Sequence, residues 1–226
     1  TQVTGQIINS SKNLRIIGRA GVGVDNVDVK AATQKGVLVV NSPGGNTIAA
    51  AEHTIAMMLA LSRNIPVANS SMFKGKWERK KFVGNELFKK KLGVVGLGKI
   101  GTHVAKVANA MGMEVLGYDP FVSNERAQQL QVKLSELDIL FQESDYVTLH
   151  LPRTVETENL VNMKVLKSMK NTSKLINCAR GGIIDEDALA EALNKSLIGG
   201  AAIDVYSEEP LNLSLIHISE PTRLRR

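Results

Sequence analysis

Residues 92–119 read LGVVGLGKIGTHVAKVANAMGMEVLGYD, and this stretch decides the fold. It begins with a short apolar run typical of a buried strand, and from Ile100 onward apolar residues recur at helical spacing. Three glycines, Gly96, Gly98 and Gly101, stand where the strand pattern gives way to the helical one. This order predicts a strand, a tight turn and a helix whose N-terminus can hold phosphate groups.

Each glycine of the turn has its own predicted role. Gly96 would allow the tight turn, Gly98 would let the backbone approach a pyrophosphate, and Gly101 would let the helix pack closely on the strand. A second apolar run ends in Asp119, near the spacing of about 20 residues expected for an acid that binds a ribose diol. Because this carboxylate would repel a 2′-phosphate, the sequence favours NAD over NADP. The alternative is an ordinary glycine-rich turn.

The composition indicates a globular protein of a reducing compartment. Of the 226 residues, 43% are hydrophobic, which suffices for a sizeable core. The net charge is +6, but the basic residues are not interleaved with aromatic ones, so we expect no nucleic-acid partner. The single cysteine, Cys178, excludes an internal disulfide and fits a cytoplasmic location. We find no signal peptide, no apolar run that would span a membrane and no zinc-ligand spacing, so we expect no membrane partner and no metal.

Outside this stretch the chain repeats the alternation of strand and helix. Strand patterns occur at residues 14–18, 37–41, 146–151, 174–178 and 200–205, and helical patterns at 29–35, 46–62, 123–130 and 163–169. The apolar runs are short and bounded by turn residues, as expected of parallel strands buried on both faces. Ser42, Pro43 and Gly44 predict a domain boundary. The sequence therefore predicts an α/β fold in which residues 42–212 form a doubly wound parallel sheet of the Rossmann type.

Two further loops contain candidate binding residues. Arg180 follows a strand pattern directly, and ligands bind at the carboxyl ends of strands in open parallel sheets. The loop RAGVGVDNVD, residues 19–28, combines the cation Arg19 with backbone N–H groups near Val22 and Gly23. These groups could hold a carboxylate and a second anion, or they could form a plain turn.

Six stretches in this order resemble the D-isomer-specific 2-hydroxyacid dehydrogenases. They are GRAGVGVDNVD, GKWERKKF, GLGKIG, GYDP, NCARGGIIDE and AAIDVYSEEP. The resemblance implies two similar open α/β domains with an NAD site between them. Residues 1–41 would then be part of a flavodoxin-like substrate-binding domain, and residues 42–212 an NAD-binding domain that is incomplete at its C-terminal end. Within the family, the stretches look most like members that oxidise 3-phospho-D-glycerate, which implies this small molecule as the substrate of the intact parent protein.

The resemblance also implies roles for single residues. Arg180 matches the catalytic arginine, whose guanidinium can grip the substrate carboxylate and polarise the reacting carbonyl. Glu209 matches the acid that pairs with the catalytic histidine and raises its pKa. The implied cofactor contacts are Gly96, Gly98, Lys99, Ile100, Gly101, Asp119, Leu151, Cys178, Ala179, Arg180, Asp204 and Val22. The implied substrate contacts are Arg19, Val22, Gly23, Asn46 and Arg180, with Arg19 as the candidate for the phosphate.

The sequence departs from the family's pattern near its C-terminus. The family's catalytic histidine lies in a His-Leu-Gly motif beyond Glu209, and no such motif occurs here. Residues 213–226 resemble the translation of a sequencing adapter, so we interpret them as a non-native tail and reject His217 as a substitute. His53 and His103 are interpreted as packing or surface residues. We therefore expect this chain alone to turn over slowly or not at all.

Two other functions stay open at this point. One is a different NAD-dependent D-2-hydroxyacid dehydrogenase. The other is an NAD-sensing module, because transcriptional corepressors resemble these enzymes, although GKWERKKF and NCARGG favour the enzyme. The helical segment at residues 46–62 is rich in small residues and suits a core element or a subunit interface. We expect a homo-oligomer formed through the NAD-binding domain.

Overall fold

The computed structural model describes residues 2–209, and the chain divides into two compact units, Thr1–Thr47 and Ile48–Arg226. The predicted boundary after residue 41 precedes this division by a few residues. The predicted tail at residues 213–226 and His217 lie outside the described residues. Within residues 2–209, no helix has the length and apolar character needed to cross a bilayer.

The smaller unit contains a two-stranded parallel sheet with two short helices. Its elements are α1 (Gly5–Ser10), β1 (Ile16–Arg19), α2 (Val29–Gln34) and β2 (Leu38–Asn41). Both helices begin at a capping side chain, because Thr4 accepts a hydrogen bond from the amide of Ile7 and Asp28 accepts one from that of Ala31. Ile8 and other buried apolar residues form the small core of this unit.

The larger unit contains a six-stranded parallel sheet flanked by helices. In chain order its elements are α3 (Thr47–Ser62, whose first residue belongs to the smaller unit), α4 (Ile65–Phe73), a 3₁₀ turn (Arg79–Phe82), β3 (Lys91–Val95), α5 (Lys99–Ala110), β4 (Glu114–Tyr118), α6 (Asn124–Gln129), β5 (Lys133–Leu134), α7 (Leu137–Glu143), β6 (Tyr146–Leu149), α8 (Met163–Ser168), β7 (Lys174–Asn177), α9 (Glu186–Asn194) and β8 (Gly200–Ile203). The strand order is β5-β4-β3-β6-β7-β8. Counted from β3, this is the 3-2-1-4-5-6 order of the Rossmann fold, so the predicted doubly wound sheet is confirmed.

Two apolar clusters cover the two faces of this sheet. In β7, Leu175 belongs to one cluster and its neighbour Ile176 to the other, as the alternation of side chains along a strand requires. Helices α7, α8 and α9 contribute to the first cluster, and α3 and α5 to the second. All four residues of β6 and of β7 are buried, which explains why these strands read as apolar runs without polar alternation.

The glycine turn joins β3 to α5 through two very close backbone approaches. Gly96 has a φ of +95°, and a Cβ there would lie 2.5 Å from the carbonyl oxygen of His150. A Cβ on Gly101 would lie 2.0 Å from the carbonyl oxygen of Gly96, so only glycine lets α5 begin this close to the strand. Gly98 differs, because nothing lies within 4 Å of its Cβ position. Packing therefore accounts for Gly96 and Gly101, and the predicted approach of a ligand to Gly98 stays a prediction.

We expect Gly101→Ala to lower the free energy of unfolding by about 2 kcal/mol, since the new methyl meets backbone that cannot move freely. A loss of stability would indicate the steric clash, because alanine is otherwise favoured over glycine in a helix by about 1 kcal/mol and would raise the stability. Urea denaturation measures the difference. Gly98→Ala is the matched control and should lower the free energy of unfolding by only about 0.5–1 kcal/mol, since its Cβ position is open and only the N-cap preference for glycine over alanine is lost. Equal losses in the two variants would contradict the packing role of Gly101.

Candidate functional site

The candidate site lies at the carboxyl edge of the six-stranded sheet, where the strand order reverses. β3 and β6 are hydrogen-bonded neighbours, but the chain leaves β3 toward β4 and returns later to β6. The loops that follow the two strands therefore diverge and leave a crevice between them, which is where open α/β sheets bind ligands. The amide of His150 donates to the carbonyl of Val95 (2.7 Å), and the amide of Gly96 donates to the carbonyl of Tyr118 at the end of β4 (2.8 Å). The strands therefore stay paired up to the residues where these loops begin.

The amide-rich end of α5 faces this crevice from the glycine turn. Gly98 is the N-cap residue and no side chain caps this 12-residue helix. The positive end of the helix dipole therefore lies at the glycine turn, where it would stabilise an anion. Lys99 at the first helical position is exposed, and Ile100 is half-buried. The predicted phosphate-binding turn therefore lies at the N-terminus of a helix, and its binding of phosphate stays a prediction.

Asp119 follows β4 and is bonded to the glycine turn. Its Oδ2 accepts a hydrogen bond from the amide of Leu97 (2.8 Å), and its Oδ1 accepts one from the amide of Phe121 (2.9 Å). A carboxylate has about four acceptor positions, so it can still accept hydrogen bonds from a ribose diol. The sequence predicted the position of this acid. It did not predict the bond to Leu97, which fixes the carboxylate against the turn.

The loop after β7 is organised by Asn177, a residue that the sequence analysis missed. Its buried side chain accepts from the amide of Ala179 (3.0 Å) and donates to the carbonyl of Arg180 (2.9 Å). A Cβ on Gly181 would lie 1.8 Å from the carbonyl oxygen of Tyr206, so the loop also packs tightly on the segment after β8. These contacts fix the backbone of Arg180, whose Nη1 donates to Ala179 (2.7 Å). An asparagine at a strand end, where it can form an Asx turn, was the available signal.

Three of the remaining predicted residues lie on the same edge of the sheet. Leu151 packs beside Gly96, and Asp204 directly follows β8. Cys178 directly follows β7 as a free thiol, and burial raises its pKa to about 11. The carboxylate of Asp204 lies 3.2 Å from Nε2 of His53 on α3. His53 is exposed, in agreement with its interpretation as a packing or surface residue, and its ring also contacts a predicted site residue.

Glu209 is the last residue that the structure describes. Its Oε1 accepts a hydrogen bond from the amide of Tyr206 (3.2 Å). Its pairing with a catalytic histidine stays a prediction.

The predicted substrate contacts other than Arg180 belong to the smaller unit. Arg19 ends β1, and its guanidinium hydrogen-bonds to Asn26 within the same loop. The carbonyl of Val22 accepts from the side chain of Asn41 (2.6 Å), so internal contacts shape this loop as well. Gly23 is half-buried, and Asn46 is exposed just before α3. That these residues bind the same substrate as Arg180 stays a prediction.

Comparisons with known proteins agree on one family. Residues 55–221 match the model of the D-isomer specific 2-hydroxyacid dehydrogenase NAD binding domain. The chain is 62% identical to a D-3-phosphoglycerate dehydrogenase from Synechocystis sp. over 95% of its own length and 39% of the relative's. It is 55% identical to a D-3-phosphoglycerate dehydrogenase from Archaeoglobus fulgidus, over 93% of its own length and 40% of the relative's. The chain thus spans about two fifths of these relatives.

A solved structure extends the likeness to the fold. The D-lactate dehydrogenase from Aquifex aeolicus, complexed with NAD and lactic acid, superposes with a TM-score of 0.86 at 33% identity. The match covers 98% of this chain and 66% of that one.

The half-buried His150 predicts an acid sensitivity of folding. Burial lowers its pKa from 6.5 to about 4, so between these values the unfolded chain binds more protons and the free energy of unfolding rises with pH. From about pH 7 to pH 5 the wild type should lose about 2 kcal/mol that His150→Gln retains. Urea denaturation at both pH values measures this. Thr148→Val, which removes the hydroxyl 3.1 Å from Nε2, is the control and should keep the wild-type dependence. If the free energy of unfolding depends equally on pH in the wild type and in His150→Gln, the ring of His150 is not held neutral by the fold.

Proposed function

The chain belongs to the D-isomer-specific 2-hydroxyacid dehydrogenase family, and from this membership we propose that the whole protein oxidises 3-phospho-D-glycerate with NAD. The observation that supports the proposal most is the hydrogen bond between Asp119 and Leu97, because it joins a diol-binding acid to a phosphate-binding turn. The choice of substrate is supported by the 62% identity to the Synechocystis protein, compared with 33% to the solved D-lactate dehydrogenase.

The residues at the sheet edge fit the parts of NAD. The uncapped start of α5 suits its diphosphate, and Asp119 suits the diol of its adenosine ribose. Leu151 offers an apolar surface beside the glycine turn, and the loop from Cys178 to Arg180 continues along the same edge. NAD supplies the chemistry of hydride transfer when it is bound.

Arg180 and Glu209 would act on the substrate in different ways. The guanidinium of Arg180 would hold the substrate carboxylate with two parallel hydrogen bonds and stabilise negative charge on the reacting oxygen. Glu209 would raise the pKa of a catalytic histidine, so that the ring takes the hydroxyl proton during oxidation and returns it during reduction. Amides of Val22 and Gly23 and the side chain of Asn46 would bind the substrate, with Arg19 holding its phosphate.

We also propose that the protein is a cytoplasmic homo-oligomer with no nucleic-acid or membrane partner. The exposed large apolar side chains of the larger unit include Phe73 (85% exposed), Trp77 (79%) and Val83 (77%), which are close in sequence. Exposed apolar groups of this size are typical of protein interfaces. This supports assembly through the NAD-binding domain.

Production of NADH by the full-length protein tests the function. Wild type should oxidise 3-phospho-D-glycerate in preference to D-lactate and D-glycerate. Arg180→Lys should lower kcat at least about 100-fold, because an ammonium lacks the planar fork of the guanidinium. Arg126→Lys, on the exposed face of α6, is the matched control and should keep wild-type turnover. Near-normal turnover by Arg180→Lys would show that Arg180 does not act on the substrate. Peptide binding without any turnover would instead favour a corepressor-like module.

Calorimetry with NAD and NADP tests the role of Asp119. We expect Asp119→Ala to weaken NAD binding about tenfold, equivalent to about 1.4 kcal/mol. The difference in affinity between NAD and NADP should become smaller. Asp119→Asn separates the effect of the negative charge from that of the hydrogen bond to the turn. The amide oxygen of asparagine can still accept a hydrogen bond from the amide of Leu97, but the uncharged side chain no longer repels a 2′-phosphate. It should therefore improve NADP binding without loosening the turn. An unchanged cofactor preference in both variants would exclude Asp119 as the selecting residue.

A further inference from the structure

Three side chains with different ligand atoms converge near the sheet edge. His53 lies on α3, while Cys178 and Asp204 directly follow the neighbouring strands β7 and β8. An imidazole nitrogen, the thiol sulfur and a carboxylate oxygen all lie within 4.8 Å of one another. The nitrogen and the oxygen are 3.2 Å apart. Neither the predicted roles nor the comparisons account for His53.

This set of atoms matches the coordination chemistry of zinc. Zn²⁺ takes nitrogen, sulfur and oxygen ligands at about 2.0–2.3 Å in a tetrahedron, which separates neighbouring ligand atoms by about 3.3–3.7 Å. Three protein ligands with an open fourth position are typical of its non-structural sites. Mg²⁺ and Ca²⁺ require mostly oxygen ligands and do not fit. We propose that His53, Cys178 and Asp204 form a three-ligand site for Zn²⁺.

The fold holds the three positions close together without a cation. The amide of Asp204 donates to the carbonyl of Asn177 (3.0 Å), which ties the ends of β7 and β8 together. On α3, Ile55 and Met58 are buried in the core cluster, which fixes the helix that carries His53. Ligation then requires only small side-chain rotations.

An ion pair between His53 and Asp204 explains less of the geometry. Both side chains are nearly half exposed, at 47% and 46%, and exposed pairs of this kind contribute little stability. The ion pair between His53 and Asp204 also does not involve the thiol of Cys178. A thiol binds Zn²⁺ as the thiolate, so a bound Zn²⁺ would displace the proton of Cys178 when the Zn–S bond forms. Each ion bound should thus release about one proton.

The site has a consequence that rests on the proposed function. Cys178 and Asp204 are also proposed contacts of NAD, so Zn²⁺ and NAD would exclude each other. Zn²⁺ would then inhibit the dehydrogenase in competition with its cofactor.

Calorimetric titration of the tag-free 226-residue chain with Zn²⁺ tests the site. We expect one ion per chain, with proton release measured in two buffers of different ionisation enthalpy. Cys178→Ser, His53→Gln and Asp204→Asn should each weaken binding about tenfold or more. His103→Gln on α5 is the matched control and should bind as wild type does. Unchanged affinity in Cys178→Ser would overturn the proposal.

A second measurement does not depend on any variant. Cys178 is the single cysteine, so alkylation of the wild-type chain reports on this thiol alone. Zn²⁺ should slow alkylation about tenfold or more, and Co²⁺ should give a thiolate-to-metal charge-transfer band. The absence of both effects would overturn the site.

Competition with NAD is tested separately on the full-length protein. If NAD weakens Zn²⁺ binding, both the cation site and its overlap with the cofactor site are supported. If NAD binds and Zn²⁺ affinity is unchanged, the overlap is wrong although the cation site stands. If NAD does not bind at all while Zn²⁺ does, the proposed function fails and the cation site stands.

Discussion

The close approach of Gly101 to the carbonyl of Gly96 is the constraint on which the larger unit depends. With 2.0 Å between that oxygen and a Cβ position, α5 can start directly above the end of β3 only if the residue has no side chain. The approach places the helix N-terminus over the strand where the sheet order reverses. Asp119 then reaches the turn and bonds to Leu97. The turn that we propose binds phosphate and the acid that we propose binds the ribose diol are thus brought together by one steric condition.

Periodicity and turn residues predicted the parts of the fold that have a strong local pattern. The strands of the central sheet read as apolar runs because both faces are covered, and the glycines marked the decisive turn. The elements α1, α4, β5 and α7 were missed for local reasons. β5 has only two residues and α1 only six, and α4 and α7 begin without a side-chain cap, so none of them leaves a strong local pattern.

The positions of candidate site residues could be predicted where they follow a strand, but the contacts that side chains make in the fold could not be read from the sequence. Asp119 and Arg180 follow strands, and their positions were inferred from that fact. Asn177 shapes the loop around Arg180 with two hydrogen bonds from a buried amide, which the sequence shows only as an asparagine before a cysteine. The contact between His53 and Asp204 was missed because the two residues are far apart in the chain and are brought together by the packing of α3 on the sheet.

The same reasoning explains why ligand spacing in the sequence gave no indication of a metal site. Zinc motifs are recognised when two ligands lie a few residues apart, because a turn or a single helix then brings them together. In a parallel sheet the ligands can instead follow neighbouring strands, and the crossover connection between those strands sets their separation in sequence. Cys178 and Asp204 are placed in this way by β7 and β8, with α9 between them. Cofactors bind at the carboxyl edge of a doubly wound sheet, and the same edge here brings together sulfur, nitrogen and oxygen atoms that can bind a metal ion. A cation bound to these atoms would overlap the proposed cofactor site.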